Sequence, residues 1–420
     1  MPRRSPVRPS DLRGAVRLAT DATTGVTDLV EGVHERIARV PGLRPPALEG
    51  RTRGISGLVY RTIRGVARGV GGGIDAALGL LGPSLQADAP SSRREALLAA
   101  LNGVLGDHLA STGNPLATPM TLRRAGRPLA LDAAALAAAV PNAGPRVLVL
   151  LHGLCMNDLQ WTRAGHDHGQ ALARDLGYTP LYLRYNSGAH ISANGRALSQ
   201  QLEQLLEQWP QPVQRLVLLG HSMGGLVARS ALHHAALAGQ RWPQRLDDLV
   251  FLGTPHHGAP LERAGHWVDI VLSAAPYAAP FARLGKVRSA GITDLGHGYL
   301  VDEDWRGRDR FARRAPHRQP VPLPAAVRCF TVAASLGPHG SARKGRMLGD
   351  GLVPLDSALG RHADPRQALA FAEDRRCIVH DTHHLDLLSS MHVYEQLRRW
   401  LAQGGALDVA PPAWRPRVGS

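Results

Sequence analysis

The residues best suited to chemistry lie in Gly220-His221-Ser222-Met223-Gly224-Gly225. The run follows the apolar stretch Leu216-Val217-Leu218-Leu219 and leads into the helix-forming Leu226-Val227-Ala228-Arg229. A serine in G-x-S-x-G between a strand and a helix has the context of a nucleophile elbow, where the chain reverses sharply and lifts the hydroxyl clear of the sheet. Gly220 and Gly224 keep side chains from colliding in that reversal, and the helix beginning after Ser222 aims its positive end and open N–H groups at developing negative charge. A bare G-x-S-x-G occurs by chance. The strand before it and the helix after it are what set Ser222 apart from an ordinary turn serine.

A serine hydroxyl needs a base to take its proton, and the base needs an acid to fix its tautomer and stabilise its cation. In a chain built around such an elbow the order is serine, acid, histidine. Asp350, in Gly349-Asp350-Gly351-Leu352-Val353-Pro354, stands where the acid would follow a strand, the alternative being a solvated turn aspartate. The base must come from Val379-His380-Asp381-Thr382-His383-His384-Leu385-Asp386-Leu387-Leu388, where His384 ranks ahead of His383 and His380. The adjacent pair His383 and His384 is not separable by spacing. Metal binding would be another use for these histidines, but H-E-x-x-H or comparable ligand spacing is missing, so no metal site and no cofactor are expected. The pairs His233-His234 and His256-His257 read as packing or surface residues.

Acyl transfer also requires N–H donors aimed at the developing oxyanion. One is expected from Met223, directly after the nucleophile. The second is expected from Leu154, after the His152-Gly153 turn that ends Val149-Leu150-Leu151.

Holding these groups together requires a sheet. From Arg146 onward short apolar runs alternate with longer helical stretches, the pattern of a parallel sheet covered by helices. Strands are expected at 146–151, 179–185, 215–219, 248–252, 327–333 and 376–379, with helices at 169–176, 194–209, 223–238 and 391–402. A peripheral hairpin is expected at 120–131, turning at Ala125-Gly126. A long insertion at 259–325 sits where a cap over a site could form. Its Trp267, Val268, Ile270, Phe281 and Leu284 suit either an apolar acyl group or attachment of the cap to the domain.

Leu151-His152-Gly153-Leu154, the serine elbow and Gly253-Thr254-Pro255-His256-His257-Gly258 together resemble bacterial lipases and esterases, and among them the group similar to the α/β-hydrolase domain of the GPI inositol-deacylases. The resemblance covers residues 145 to 402. It implies an α/β-hydrolase fold, a mostly parallel central sheet with helices on both faces and a cap insertion. It further implies a serine hydrolase cleaving small-molecule or lipid acyl esters through Ser222, Asp350 and His384. The family often carries its histidine in Asn-His-x-Asp-Leu-Leu. Here His383-His384-Leu385-Asp386-Leu387-Leu388 favours His384, with a histidine in place of the asparagine. Acyl transfer to an alcohol would use the same residues.

The domain layout that follows is an N-terminal helical segment over 1–115, a catalytic domain over 116–404 and a tail over 405–420. Prolines divide 11–109 into three candidate helices, of which the middle one, 55–81, sets an apolar stripe from Ile55 to Leu81 opposite Arg61, Arg64 and Arg68. Such a face packs on neighbouring helices or makes peripheral contact with an anionic membrane; a membrane-docked protein without activity is a third reading, disfavoured by the three candidate groups in order. The chain has 420 residues and a formal net charge of +15. Without zinc-finger spacing or an RNA-binding aromatic signature, that charge reads as an arginine-rich surface rather than a nucleic-acid site. Cys155, Cys329 and Cys377 are odd in number and far apart, which suggests a reducing compartment. With no signal-peptide core and no apolar run of the roughly 18 residues a spanning helix needs, a cytoplasmic location is expected.

Overall fold

Six of the short apolar runs become parallel strands, and all but the half-buried edge run at 376–379 are covered on both faces, where a nearly continuous apolar segment is stable. The computed structural model describes residues 8–38, 61, 65, 92–259, 289–308, 318–338 and 349–403. Outside them lie the expected helix at 55–81 apart from Arg61 and Gly65, the apolar cluster at 267–284 and the tail at 405–420.

The elements, in chain order, are α1 (Pro9–Ala38), α2 (Ser92–Ser111), β1 (Thr121–Arg124), β2 (Arg127–Pro128), α3 (Ala133–Ala139), β3 (Arg146–Leu151), α4 (His168–Leu176), β4 (Thr179–Arg184), α5 (Ile191–Gln208), β5 (Arg215–His221), α6 (Met223–Ala238), β6 (Leu246–Leu252), α7 (Ala290–His297), β7 (Arg328–Ala334), β8 (Arg376–Val379) and α8 (Met391–Ala402), with shorter helical turns between them. The eight strands form one sheet in the order β2-β1-β4-β3-β5-β6-β7-β8. Strands β3 to β8 are parallel, and β1 joins β4 antiparallel. The hairpin at 120–131 is therefore an edge of the main sheet. Helix α5 begins three residues before its expected start, and β5 runs on through His221 to Ser222 itself.

Alternation along the strands divides the core. Leu148, Leu150, Val217, Leu219, Val250, Leu252, Phe330 and Val332 face one way, against Leu172 of α4 and Val393, Leu397 and Trp400 of α8. On the other face α6 packs on β3, β5 and β6 and against α5. Full burial of each such side chain stabilises the fold by roughly 1.5–3 kcal/mol before entropy is counted. At the end of the sheet away from the elbow, Asp248 is buried between two arginines. Arg215 Nη2 lies 2.5 Å from Oδ2, Arg328 Nη2 lies 2.6 Å from Oδ1, and Arg215 also donates to the carbonyl of Leu401. These contacts tie β5, β6, β7 and the end of α8 together.

The chain divides into two compact units, one of Met1–Ser91 with Leu109–Ala117 and the other of Ser92–His108 with Thr118–Ser420. The first is organised around α1, where the buried Asn114 side chain donates to the carbonyl of Gly14 at 3.1 Å and Leu116 fills the space over that glycine. In the second unit most of α2 joins the sheet domain, on the N-terminal side of the boundary expected at 115. Its buried Glu95 pairs with Arg184 of β4, which also pairs with Asp158; Arg123 of β1 completes the cluster at 3.1 Å from Asp158. No helix among the described residues is long and apolar enough to cross a membrane.

Candidate active site

The parallel register brings Leu151 opposite Gly220 and His221 opposite Leu252, so the ends of β3, β5 and β6 open at one level. Ser222 follows directly, with φ 55° and ψ −123°. That conformation is disfavoured for any residue with a side chain, costing on the order of 1–3 kcal/mol, and it persists because its surroundings leave no alternative. The Ser222 N–H donates to the carbonyl of Leu252 at 2.8 Å. A Cβ on Gly220 would stand 2.5 Å from the Gly225 nitrogen, and one on Gly224 would stand 2.2 Å from the Leu151 carbonyl oxygen. Both glycines are thus required by close backbone approach.

Ser222 is fully buried, and its Oγ has no hydrogen-bond partner among the described residues. Beside it, His384 Nδ1 lies 2.6 Å from Asp350 Oδ2, with both side chains almost wholly buried. The other carboxylate oxygen of Asp350 accepts the N–H groups of Leu352 at 3.0 Å and Val353 at 2.8 Å. With one oxygen held by the turn, only the second faces the imidazole. The His384 N–H donates to the Asp350 carbonyl at 3.2 Å. His384 is held from the Ser222 side as well, since its ring centroid lies 4.7 Å from that of His221 and His221 Nε2 bonds its carbonyl oxygen at 3.2 Å. Burial, then the neighbouring His384, holds His221 well below the usual imidazole range, so it is neutral and donates that bond.

His383 is exposed, and His380 contacts the carbonyl of Gly337 at 3.2 Å. The structure therefore brings His384 to Asp350 and leaves both competitors elsewhere. The turn after His384 is fixed by His168, whose Nε2 donates to Leu387 O at 2.9 Å while Nδ1 receives His166 Nε2 at 2.8 Å.

Leu154 lies in the loop after β3, and Met223 begins α6. No hydrogen bond within the described residues uses either N–H. The loop runs close to the serine, because a Cβ on Gly153 would stand 3.1 Å from Ser222 Cβ. His152 is buried, with Nε2 accepting from Tyr185 N–H at 3.3 Å, so Nδ1 carries the proton and donates to Gly153 O at 2.8 Å. Burial pulls its pKa down to about 4, which keeps this tautomer in place. The Tyr185 ring stacks on His152 at 4.3 Å and its hydroxyl donates to the His152 carbonyl. Sequence reasoning did not single out Tyr185, which nothing in its spacing marks, and gave His221 no role beyond its place in the serine motif. Of the histidine pairs outside this group, His256 is fully buried against Phe251 and His233 and His234 sit on α6. No group of three or more His, Cys, Asp or Glu among the described residues is placed to hold a metal ion.

Residues 142–321 match the family model of the PGAP1-like alpha/beta domain. No curated protein matches the chain. Among solved structures it is similar to the mature form of Bacillus licheniformis lipase BlEst2, with 18% identity over 68% of this chain and 98% of that one and a TM-score of 0.40. It is also similar to Aspergillus fumigatus lipase B, with 13% identity over 63% and 55% of the two chains and a TM-score of 0.36. The Pyrococcus furiosus esterase PF2001 is a third, with 15% identity over 62% and 83% and a TM-score of 0.34. Over residues 142–321 the chain is thus similar to the PGAP1-like alpha/beta domain, and its described strands form a mostly parallel sheet with helices on both faces.

Proposed function

We propose that the protein is a serine hydrolase that cleaves apolar carboxylic esters through an acyl-enzyme. The observation that carries this reading is the buried 2.6 Å contact between His384 Nδ1 and Asp350 Oδ2 beside a strained serine that begins a helix. A structural core has no need to bury an imidazole–carboxylate pair next to an unbonded hydroxyl, since the desolvation of such a pair is costly.

In the reaction, His384 Nε2 takes the proton of Ser222 as Oγ attacks the ester carbonyl carbon. The hydroxyl closes onto the imidazole when substrate is bound, a contact that ligand-free sites commonly leave long. The carbonyl π electrons move to oxygen, and the N–H groups of Leu154 and Met223 receive the resulting oxyanion. Collapse expels the alcohol, which takes the proton from His384 and leaves the acyl group on Ser222. Water then repeats the sequence, giving its proton to His384, and the carboxylic acid departs as Ser222 regains its own. Asp350 keeps the Nδ1–H tautomer and stabilises the imidazolium. From sequence, the apolar Trp267 to Leu284 segment of the insertion suits an apolar acyl group as readily as attachment of the segment to the domain.

Hydrolysis of p-nitrophenyl esters of increasing acyl length tests the reading. Turnover by the wild type that disappears in Ser222→Ala is expected. Equal inactivity of both on every ester, or equal activity, would defeat it.

A further inference from the structure

The loop that carries Leu154 has one internal backbone bond, from the Met156 N–H to the Gly153 carbonyl at 3.3 Å, and takes the rest of its shape from outside. Cys155, the next residue, sits at φ 58° without being glycine, a conformation that costs on the order of 1 kcal/mol and must be imposed from outside. Its N–H donates to Ser187 Oγ at 2.9 Å, and its side chain points at helix α2, with Sγ 3.8 Å from the Ala100 carbonyl. Burial pushes this thiol up to about 12, so it is a neutral packing group.

The partner surface is the backbone of α2. A Cβ placed on Gly103 would stand 2.1 Å from Cys155 Sγ and 2.9 Å from its Cα, so the helix touches the loop with no side chain between them. The same helix seats Ser187. A Cβ on Gly188 would stand 2.1 Å from Asn102 O, and Asn186 Nδ2 donates to Gly106 O at 2.8 Å. On the far side, Ser289 Oγ donates to Gly103 O at 2.6 Å and the N–H of Ala290 donates to Asp107 Oδ2 at 3.0 Å, which holds the start of α7 against α2. The loop after β3, the loop after β4 and the first residues of α7 therefore share one wall, supplied by a segment more than a hundred residues before the nucleophile.

We propose that α2 belongs to the catalytic apparatus, with Gly103, Cys155 and Ser187 acting as positioning residues that set the direction of the Leu154 N–H toward the oxyanion. The peptide that holds this N–H is fixed on one side by His152 and the Met156 N–H at Gly153 O and on the other by Ser187 through the Cys155 N–H, and loss of the Ser187 contact loosens it at that end. The proposal rests on Ser222 being the nucleophile.

Labelling of Ser222 by a fluorophosphonate and steady-state p-nitrophenyl butyrate kinetics are measured for the wild type, Ser222→Ala, Ser187→Ala, Gly103→Ala and the double variant Gly103→Ala/Cys155→Gly, all as full chains. Both single positioning variants are expected to lose on the order of 10- to 100-fold in kcat and in labelling rate, the scale of a misdirected donor, with KM within about two-fold. The double variant removes the Sγ that the new methyl meets and relaxes the left-handed residue, so it regains most of the loss. A wild type that fails to label overturns the nucleophile assignment and the proposal together. A labelled wild type beside a folded Ser187→Ala of equal kcat overturns the positioning role alone, as does a lowered melting temperature with kcat unchanged. If Gly103→Ala does not fold, Ser187→Ala decides.

Discussion

The imidazole–carboxylate side of the site and its oxyanion side are anchored by different means. Asp350 and His384 meet through a side-chain contact at 2.6 Å, and the turn around Asp350 occupies its other oxygen with two N–H groups. The Leu154 side, the proposed oxyanion side, offers an N–H and no reacting side chain; that N–H is directed through its backbone, by His152 at Gly153 O, by Ser187 at the Cys155 N–H and by the bare surface of Gly103. One side depends on which reacting residues are present and the other on where the backbone is held. Changes at Asp350 or His384 should act most sharply, while the second side should respond both to added bulk at Gly103 and to loss of the Ser187 hydroxyl.

The largest expected effect is that of Ser222→Ala, which removes the proposed nucleophile common to both sides and should lower kcat on the order of 10⁶-fold, with a melting temperature no lower than that of the wild type. Relief of the buried unbonded hydroxyl works in its favour. Asp350→Asn tests the imidazole side alone. Its amide oxygen still accepts from Leu352 and Val353, so the turn survives, but an NH2 now faces Nδ1 and selects the wrong tautomer. Steady-state turnover should fall about 10⁴-fold with little change in stability. Equal losses of folding and activity would show that Asp350 acts mainly as a turn residue.

Asp248→Asn separates chemistry from scaffold. It leaves Arg215 and Arg328 buried beside a neutral group, which should cost about 3–5 kcal/mol in denaturant unfolding while kcat of the folded fraction stays near wild type.

The pH dependence of stability probes the buried histidines on the two sides. Burial lowers both His152 and His168 from 6.5 to about 4. Above pH 6.5 neither is charged in the folded or unfolded chain, so their effect is constant. As pH falls from 6.5 toward 4 the unfolded chain gains protons that the folded one refuses, and stability is lost, by about 2 kcal/mol for each group at pH 5. Urea unfolding at pH 7.5 and pH 5 should show this drop, and His168→Gln should reduce it. The smallest effect belongs to His383→Ala, whose exposed ring is absent from the contact with Asp350. Its kcat should stay within about three-fold and its stability within about 0.5 kcal/mol; a loss matching that of His384→Ala would reverse the choice of base.

Much of the architecture could be read along the chain. The runs at 146–151, 215–219 and 248–252 are apolar and bounded by glycine or polar residues, and a strand covered on both faces has few other ways to be written. The Gly220 to Gly225 run was equally legible, because a strand that must reverse into a helix within three residues tolerates little but glycine around the serine. Asp350 and the histidine cluster could be placed in order but not in space. Spacing does not separate His383 from His384, which only the resemblance of His383-His384-Leu385-Asp386-Leu387-Leu388 to the family motif favoured, and nothing local marks Ser187.

What the sequence determined by itself is therefore local: which segments are strands or helices, and where a strained serine can sit, since both follow from short-range sterics and the period of apolar residues. Only the tertiary structure decided which histidine meets Asp350, that the hairpin at 120–131 extends the main sheet, and that most of α2 joins the sheet domain rather than the segment before it. Those outcomes depend on contacts between residues tens to hundreds of positions apart. Whether Gly103 lies against Cys155 is set by how a helix is held through Glu95 and Arg184, which no pattern within either segment encodes.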